Sequence, residues 1–455
     1  MNTSFFGELL QSISDRGRAL LDRARERRGA DPMNSETFVE QCEDLLTGRG
    51  EASGVALARD ILARYSELTT GPRIAFFEAL AHRFGPDSAA LDAAVEAWRQ
   101  NPSDETAAQV HQASEPRRLE LFRRLNLAPN GTSSLVRMRE NLIDAMDHRA
   151  DLGGVDAAFI HLFSSWFNRG FLVLRRIDWS TPASVLEKII RYEAVHAIRD
   201  WDDLRRRIDL PDRRCYAFFH PALVDEPLIF VEVALTREIP PAIAPILAHS
   251  RDPVDPERAT TAVFYSISNC QRGLAGVTFG NFLIKQVVEE VCREFSRLST
   301  FVTLSPVPSF AEWLRRERTN ENSQALTEYD RMALAPLDAE DWWSDPGAAE
   351  DLREPMLRAA AWYFLHARTR RGTPVDPVAR FHLGNGARLE RINWLGDTSE
   401  KAIRQSHGLM VNYLYDLDEI ERNHEAYAEQ RNVVASNAVT RLARAPAREL
   451  APVAL

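Results

Sequence analysis

The sequence predicts an α+β protein: an all-helical N-terminal region followed by a region in which strands and helices alternate around a mixed sheet. Apolar residues recur at helical spacing through the first third of the chain, and strand-like runs begin near residue 165. The chain of 455 residues also exceeds the size at which one hydrophobic core stops growing. We therefore expect two domains, at residues 1–165 and 166–455.

Two apolar stripes predict helices in the first domain. Their members recur at helical spacing on one face: Ile74, Phe77, Leu80 and Phe84 in the first stripe, and Leu135, Met138, Leu142, Ile143 and Met146 in the second. Gly85 follows the first stripe, and glycine favours the end of a helix. The stripes indicate a helical bundle that supports or oligomerises the protein, with a partner-binding helix as the alternative.

Strands and helices alternate in the second domain. Strand-like runs occupy residues 171–175, 215–219 and 228–236, and amphipathic helices are predicted over residues 183–192 and 281–297. The polar, acidic stretch at residues 315–351 indicates a helical excursion from this sheet. Such a mixture is typical of a domain with a central sheet.

Charge and cysteine content exclude several classes of function. A net charge of −10 at pH 7 opposes nonspecific binding to nucleic acid, which requires a basic surface. The cysteines Cys42, Cys215, Cys270 and Cys292 lie far apart, which indicates reduced thiols rather than a structural zinc site. We expect no nucleic-acid partner and no metal.

The chain gives no signal for a membrane or an organelle. We find no run of the roughly 18 apolar residues that a membrane span requires. The Arg-rich first 29 residues contain four acidic residues, which transit peptides avoid, and the last five residues, APVAL, differ from a peroxisomal signal. We therefore expect a cytoplasmic protein without a membrane partner.

The stretch from residue 260 to residue 310 holds the clearest chemical signal. A strand at residues 262–268 precedes a glycine-containing loop, a helix and a second strand at residues 301–304. A helix N-terminus beside glycines can present backbone N–H groups to a phosphate. Gly273, Gly276 and Gly280 match neither the Walker A nor the dinucleotide-binding pattern, so an ordinary strand–helix connection stays the alternative.

Several ordered blocks resemble the malonyl-CoA decarboxylase family. They are HPALVDEPLIFVEVALT at 220–236, FYSIS at 264–268, GNFLIK at 280–285, LSPVP at 304–308, FHLGNGARLERINW at 381–394 and GLMVNYLY at 408–415. The blocks follow the family's order and span about residues 160–415, whereas the first third matches mainly by helical character.

This resemblance implies a fold, a reaction and a site. The family converts malonyl-CoA to acetyl-CoA and CO2 without metal or biotin, so no cofactor is expected. Its catalytic domain resembles the GNAT acyltransferase fold, and its preceding helical domain mediates homo-oligomerisation. The serine of the Leu-Ser-Pro motif corresponds to Ser305, and the histidine of the Phe-His-Leu motif corresponds to His382.

The resemblance also implies a loop that contacts CoA. It comprises Ala275, Gly276, Val277, Thr278, Phe279, Gly280 and Asn281. Some relatives carry an acidic residue at the position of Thr278, so only backbone contacts can be carried over there. Tyr415 lies in a shared block and either contacts substrate or packs.

The chemistry of decarboxylation suits these residue types. Loss of CO2 leaves an enolate, which needs hydrogen-bond donors at the thioester oxygen and an acid to protonate carbon. A histidine with a pKa near 6.5 can deliver that proton, and Ser305 can hydrogen-bond the malonyl group. A covalent acyl-serine is possible but not required.

Other interpretations of the same residues remain as alternatives. A serine before proline is commonly a turn former, and an isolated histidine is commonly structural. The alternatives for the whole chain are a CoA-dependent acyltransferase with His382 as general base, a non-catalytic acyl-CoA sensor, and a hydrolase triad recognised only by geometry.

Other polar residues of the second domain are also candidates for the site. Arg391 and Asn393 could serve the acyl group or be structural, and Ser266 and Ser268 should face the same side of their strand. We assign structural roles to His220 and Cys270.

Overall fold

The computed structural model describes residues 35–47, 50–277 and 283–444 of the chain. It divides into two compact units. The first comprises the described parts of Met1–Val173, Phe219–Leu228 and Gln271–Gly280, and the second those of Leu174–Phe218, Ile229–Cys270 and Asn281–Leu455. Within these ranges, none of the helices combines the length and the hydrophobicity that a membrane span requires.

The first unit is built from helices. They are α1 (Ser35–Leu46), α2 (Glu51–Glu67), α3 (Thr70–His82), α4 (Ser88–Gln100), α5 (Asp104–Ser114), α6 (Arg117–Leu125), α7 (Gly131–Met146) and α8 (Gly153–Trp166). Both predicted stripes supply core residues, since Phe77 and Leu80 of α3 and Leu135 and Leu142 of α7 are fully buried. Helix α3 ends at His82, three residues before Gly85, where the sequence predicts its end. Phe84, which lies beyond the helix, is still buried.

The second unit carries a mixed sheet of eight strands. They are β1 (Val173–Ile177), β2 (Arg213–Phe219), β3 (Pro227–Thr236), β4 (Thr261–Asn269), β5 (Thr300–Thr303), β6 (Ser305–Pro306), β7 (Arg388–Asn393) and β8 (Met410–Leu414). The strand order is β1-β2-β3-β4-β5-β8-β6, with β7 also paired to β8. Strands β4 and β5 run parallel, whereas β8 is antiparallel to β5, β6 and β7.

The second unit also contains helices. They are α9 (Ala183–Tyr192), α10 (Trp201–Ile208), α11 (Ala244–Leu247), α12 (Leu283–Glu294), α13 (Phe310–Thr319), α14 (Glu328–Ala333), α15 (Pro346–His366), α16 (Pro377–Gly384), α17 (Glu400–Ser406), α18 (Ile420–Gln430) and α19 (Asn437–Arg444). The predicted fold class, helices followed by a mixed sheet with helices, is confirmed. The predicted excursion at residues 315–351 contains the end of α13, all of α14 and the start of α15.

The alternation of side chains along β5 separates the core from the site. Val302 and the following Leu304 are fully buried in an apolar cluster that includes Val263 and Met410. Thr303 and Ser305 alternate with them and therefore face the other side of the sheet. The consecutive short strands β5 and β6 thus support the hydrophobic core on one side and present two hydroxyl groups on the other.

Candidate functional site

Ser305 is held where β5 gives way to β6. Its backbone pairs with Val411 of β8, and its side chain is buried. The proline that follows fixes the backbone and cannot donate a ladder hydrogen bond, so the strand ends at once. Ser305 therefore lies at a strand end, and its hydroxyl bonds other side chains rather than a turn.

His382 occupies the last turn of helix α16. Asp376 caps this helix by accepting a hydrogen bond from Ala379 N–H at 2.8 Å, and Pro377 fits the first turn, where an N–H would have no helical partner. His382 is buried, while its neighbour Phe381 is partly exposed. The helix therefore directs the imidazole inward.

Ser305, His382 and Tyr415 form a hydrogen-bonded row. The Ser305 hydroxyl oxygen lies 3.2 Å from Nε2 of His382, and the Tyr415 hydroxyl lies 2.8 Å from Nδ1 of the same ring. Tyr415 is itself held by its backbone N–H, which donates to the Phe301 carbonyl at 2.8 Å. A Ser-His-Asp triad has a carboxylate at Nδ1, whereas here a tyrosine hydroxyl occupies that position.

Thr303 extends this hydrogen-bonded row beyond Ser305, although no sequence motif marks it as a site residue. The Ser305 hydroxyl donates to Thr303 Oγ1 at 2.8 Å, and the backbone N–H of Tyr413 donates to the same oxygen at 3.2 Å. The sequence feature that could have identified Thr303 is the two-residue period of a strand, which places residues 303 and 305 on the same face.

Burial sets the protonation states of the row. It lowers the pKa of His382 from 6.5 to about 3, because the imidazolium loses its hydration. It also raises the pKa of Tyr415 well above the usual 10. The expectation of an ordinary histidine pKa is therefore wrong. At neutral pH the imidazole carries no charge and the tyrosine keeps its proton.

Ser305 and His382 line a cavity of about 230 Å³. Its walls are largely apolar and include Ile229, Phe264, Ile267, Val378 and Phe381. Among the described residues that line it, none is a lysine or an arginine. An anionic group that enters the cavity would thus meet hydroxyl and imidazole hydrogen-bond donors in apolar surroundings. The described walls present no fixed positive charge to it.

The predicted CoA loop is described only in part. Ala275, Gly276 and Val277 follow a short 3₁₀ turn, and Gly276 adopts φ +79°, which favours glycine. Thr278, Phe279, Gly280 and Asn281 lie outside the described residues, as does residue 282.

Gly273 serves packing within the first unit. A Cβ atom there would lie 2.0 Å from the Val136 carbonyl oxygen. The Gly273 carbonyl accepts from Arg139 at 2.8 Å, and its N–H donates to Glu140 at 3.3 Å. Its backbone groups are therefore used by helix α7.

The remaining candidates hold local structure. Ser266 and Ser268 share one side of β4, with oxygens 3.2 Å apart, and both donate to Glu193 Oε2. Arg391 and Asn393 both hydrogen-bond Asn412.

His220 and Cys270 also have local contacts. His220 Nδ1 accepts from the backbone N–H of Ala222 at 3.1 Å. The buried thiol of Cys270 lies 3.8 Å from the Ser268 carbonyl oxygen. These contacts agree with the structural roles assigned to both residues.

Two family models match the chain. The malonyl-CoA decarboxylase C-terminal domain matches residues 170–452, and the malonyl-CoA decarboxylase N-terminal domain matches residues 84–167. Both models come from the family that the sequence blocks resemble, and the first covers more than half of the chain.

Curated relatives agree. The mitochondrial malonyl-CoA decarboxylase of Anser anser anser is 39% identical over 351 residues, which cover 71% of this chain and 69% of the relative. That of Rattus norvegicus is 34% identical over 439 residues, which cover 88% and 85%.

Solved structures of the same family are similar in fold. The malonyl-CoA decarboxylase from Rhodopseudomonas palustris is 58% identical with a TM-score of 0.88, covering 90% of this chain and 100% of that one. The protein of that name from Cupriavidus metallidurans is 35% identical with a TM-score of 0.70, covering 90% and 99%.

Proposed function

This chain belongs to the malonyl-CoA decarboxylase family of carboxy-lyases, and we propose that it converts malonyl-CoA to acetyl-CoA and CO2 at Ser305 and His382. The observation that carries this proposal is the contact between the Ser305 hydroxyl and a neutral His382 in an apolar cavity.

The apolar cavity favours loss of the carboxylate. A fixed cation would stabilise the malonyl carboxylate before reaction more than the transition state, in which the charge moves toward the thioester. The described cavity walls supply no lysine or arginine, so the carboxylate is held by neutral donors such as Ser305. Desolvation of a charge that disperses during the reaction lowers the barrier.

His382 provides the proton that completes the reaction. The C–C bond to the carboxylate breaks, its electron pair remains on the substrate as an enolate, and CO2 departs. The Nε2–H of the neutral imidazole protonates the α carbon, while the Tyr415 hydroxyl stabilises the charge left on the ring through Nδ1. A proton from solvent restores the imidazole, so each turnover consumes one proton.

Product analysis tests this proposal against the alternatives. Purified protein is incubated with malonyl-CoA, with and without an amine acceptor, while thioesters are followed by mass and CO2 is trapped. A decarboxylase gives equal amounts of acetyl-CoA and CO2 without an acceptor. Malonate with free CoA would indicate a hydrolase, an acylated amine an acyltransferase, and bound but intact malonyl-CoA a sensor.

Residues 275–281 are proposed to contact the CoA moiety through backbone groups, with Gly276 allowing close approach. Replacement of Gly276 by valine should raise KM for malonyl-CoA with a smaller effect on kcat. An unchanged KM would remove this loop from the binding site.

The helical unit is proposed to mediate homo-oligomerisation in the cytoplasm. Helices α4 and α5 contain no buried residue, and Trp98 of α4 is 44% exposed, so this pair has apolar surface to offer a second copy. Light scattering of wild-type protein and Trp98→Glu should show a larger species that the variant loses. A monomeric wild type would reject this role.

A further inference from the structure

Thr303 is fixed from two directions by strand β8. Its carbonyl accepts from the Asn412 side-chain amide at 2.8 Å, and its hydroxyl oxygen accepts from the Tyr413 N–H at 3.2 Å. The residue is fully buried. The hydroxyl oxygen of Thr303 is therefore an acceptor in a fixed place, and the proton that it accepts from a side chain is that of Ser305, at 2.8 Å.

That single contact determines the direction of the remaining hydrogen bonds. A serine hydroxyl has one proton and two acceptor sites. Because Ser305 gives its proton to Thr303, it can only accept from His382 at 3.2 Å. His382 must then carry its proton on Nε2.

The bare Nδ1 of that tautomer needs a donor. The Tyr415 hydroxyl, which burial keeps protonated, lies 2.8 Å away and supplies it. All the bonds consequently point one way: from Tyr415 to Nδ1, from Nε2–H to Ser305, and from Ser305 to Thr303.

We propose that Thr303 is a positioning residue that holds His382 in the Nε2–H tautomer and so makes it a proton donor rather than a base toward Ser305. This inference rests on the proposed decarboxylation. With the opposite direction of hydrogen bonds, a bare Nε2 would take the Ser305 proton and activate a nucleophile, as in serine hydrolases.

Substrate binding is compatible with this role. An oxygen of the malonyl group that enters the cavity can take over the Ser305 proton from Thr303. The imidazole cannot take it, because Nε2 already carries a proton. Ser305 thereby becomes a donor to the substrate, while the Nε2–H remains available for the α carbon after CO2 has left.

The tautomer of His382 can be observed directly. Protein labelled with ¹⁵N-histidine gives distinct nitrogen shifts for Nε2–H and Nδ1–H rings, and the signal missing from His382→Asn identifies residue 382. Wild-type protein should show the Nε2–H form. Thr303→Val, which keeps the shape but removes the hydroxyl, should shift it toward Nδ1–H, and Thr303→Ser should restore it.

Kinetics supply the second readout. Thr303→Val should lower kcat for malonyl-CoA about tenfold with little change in KM, as expected for the loss of one oriented hydrogen bond, and Thr303→Ser should recover most of the rate. Thr261→Val, at a buried threonine of β4, controls for removal of a buried hydroxyl from the sheet.

The two proposals fail in different ways. Wild-type protein that leaves malonyl-CoA intact would overturn the proposed function. Active wild type with an Nδ1–H ring at His382, or Thr303→Val with wild-type kcat and tautomer, would overturn the role of Thr303. If Thr303→Val does not fold, the tautomer of the wild type still decides.

Discussion

The ring of Tyr413 stacks on the imidazole of His382, with centroids 4.6 Å apart and 25° between the planes. Tyr413 lies on β8, and its backbone N–H is bound to Thr303. Two residues further along the chain, the Tyr415 hydroxyl hydrogen-bonds Nδ1 at the edge of the same imidazole. Strand β8 therefore fixes both the tilt of the ring and its hydrogen bond before substrate arrives, as preorganised catalysis requires.

Removal of the Tyr415 hydroxyl should weaken turnover without loss of binding. Tyr415→Phe keeps the buried ring but leaves Nδ1 without its donor, so we expect kcat to fall about tenfold and KM to change little. Steady-state kinetics with malonyl-CoA measure both constants. Tyr65→Phe, at a buried tyrosine of the helical unit, is the matched control. Equal kcat in the two variants would contradict the role of Tyr415.

Ser305→Ala should lower kcat about 100-fold, by analogy with the loss of one oriented donor in an active site. The protein should remain folded, because the methyl group fits where the hydroxyl lay and the backbone pairing with Val411 is retained. Turnover and circular dichroism are measured on the variant and on Ser344→Ala, at an exposed serine. A variant that turns over at the wild-type rate would exclude Ser305 from the reaction.

His382 should not titrate near neutral pH. Its buried ring has a pKa lowered to about 3, so it stays neutral from pH 5 to pH 8 and gains a proton only in strong acid. A proton NMR titration follows the ring signal that is missing from His382→Asn. A midpoint near pH 6.5 would show that the imidazole is hydrated and would contradict the neutral-acid mechanism.

Asp376 should make stability depend on pH. Burial raises its pKa from 3.8 to about 6, so folding favours the protonated acid. The stabilisation is complete below the unfolded pKa near 3.8 and is lost as pH rises through 6. Asp376→Asn keeps an acceptor for the Ala379 N–H but carries no charge.

The comparison between wild type and Asp376→Asn isolates this effect. Between pH 4.5 and pH 8 the wild type should lose about 2 kcal/mol of stability relative to the variant, measured by urea unfolding. Asp345→Asn, at the exposed cap of α15, controls for the change of capping residue. Parallel pH profiles for wild type and Asp376→Asn would show that the carboxyl is not desolvated.

Local sequence patterns predicted much of the architecture. Helix α9 spans the predicted residues 183–192, and β4 extends the predicted strand by one residue at each end. Periodicity works for α9 because this helix buries one face. Nearly all residues of β4 are buried, and this strand is recognised by its strand-favouring residues. The order of the motif blocks identified the family, which the family models confirm.

The details of the site depended on tertiary structure. Ser305 and His382 are 77 residues apart in sequence, and no local pattern reveals that β8 brings Tyr415 to the same ring. The lowered pKa of His382 arises from complete burial, which depends on neighbours supplied by several elements. Thr303 was missed because its hydroxyl acts through Ser305 rather than through a recognisable motif.

Turnover by His382→Asn tests the central claim most directly, since this claim makes His382 the acid of decarboxylation. Wild type and variant are each mixed in excess with malonyl-CoA, and CO2, acetyl-CoA and equilibrium binding are measured on the same preparations. We predict equal amounts of CO2 and acetyl-CoA from the wild type. The variant should bind malonyl-CoA but react at least about 100-fold more slowly. Wild-type rates from the variant would contradict the account.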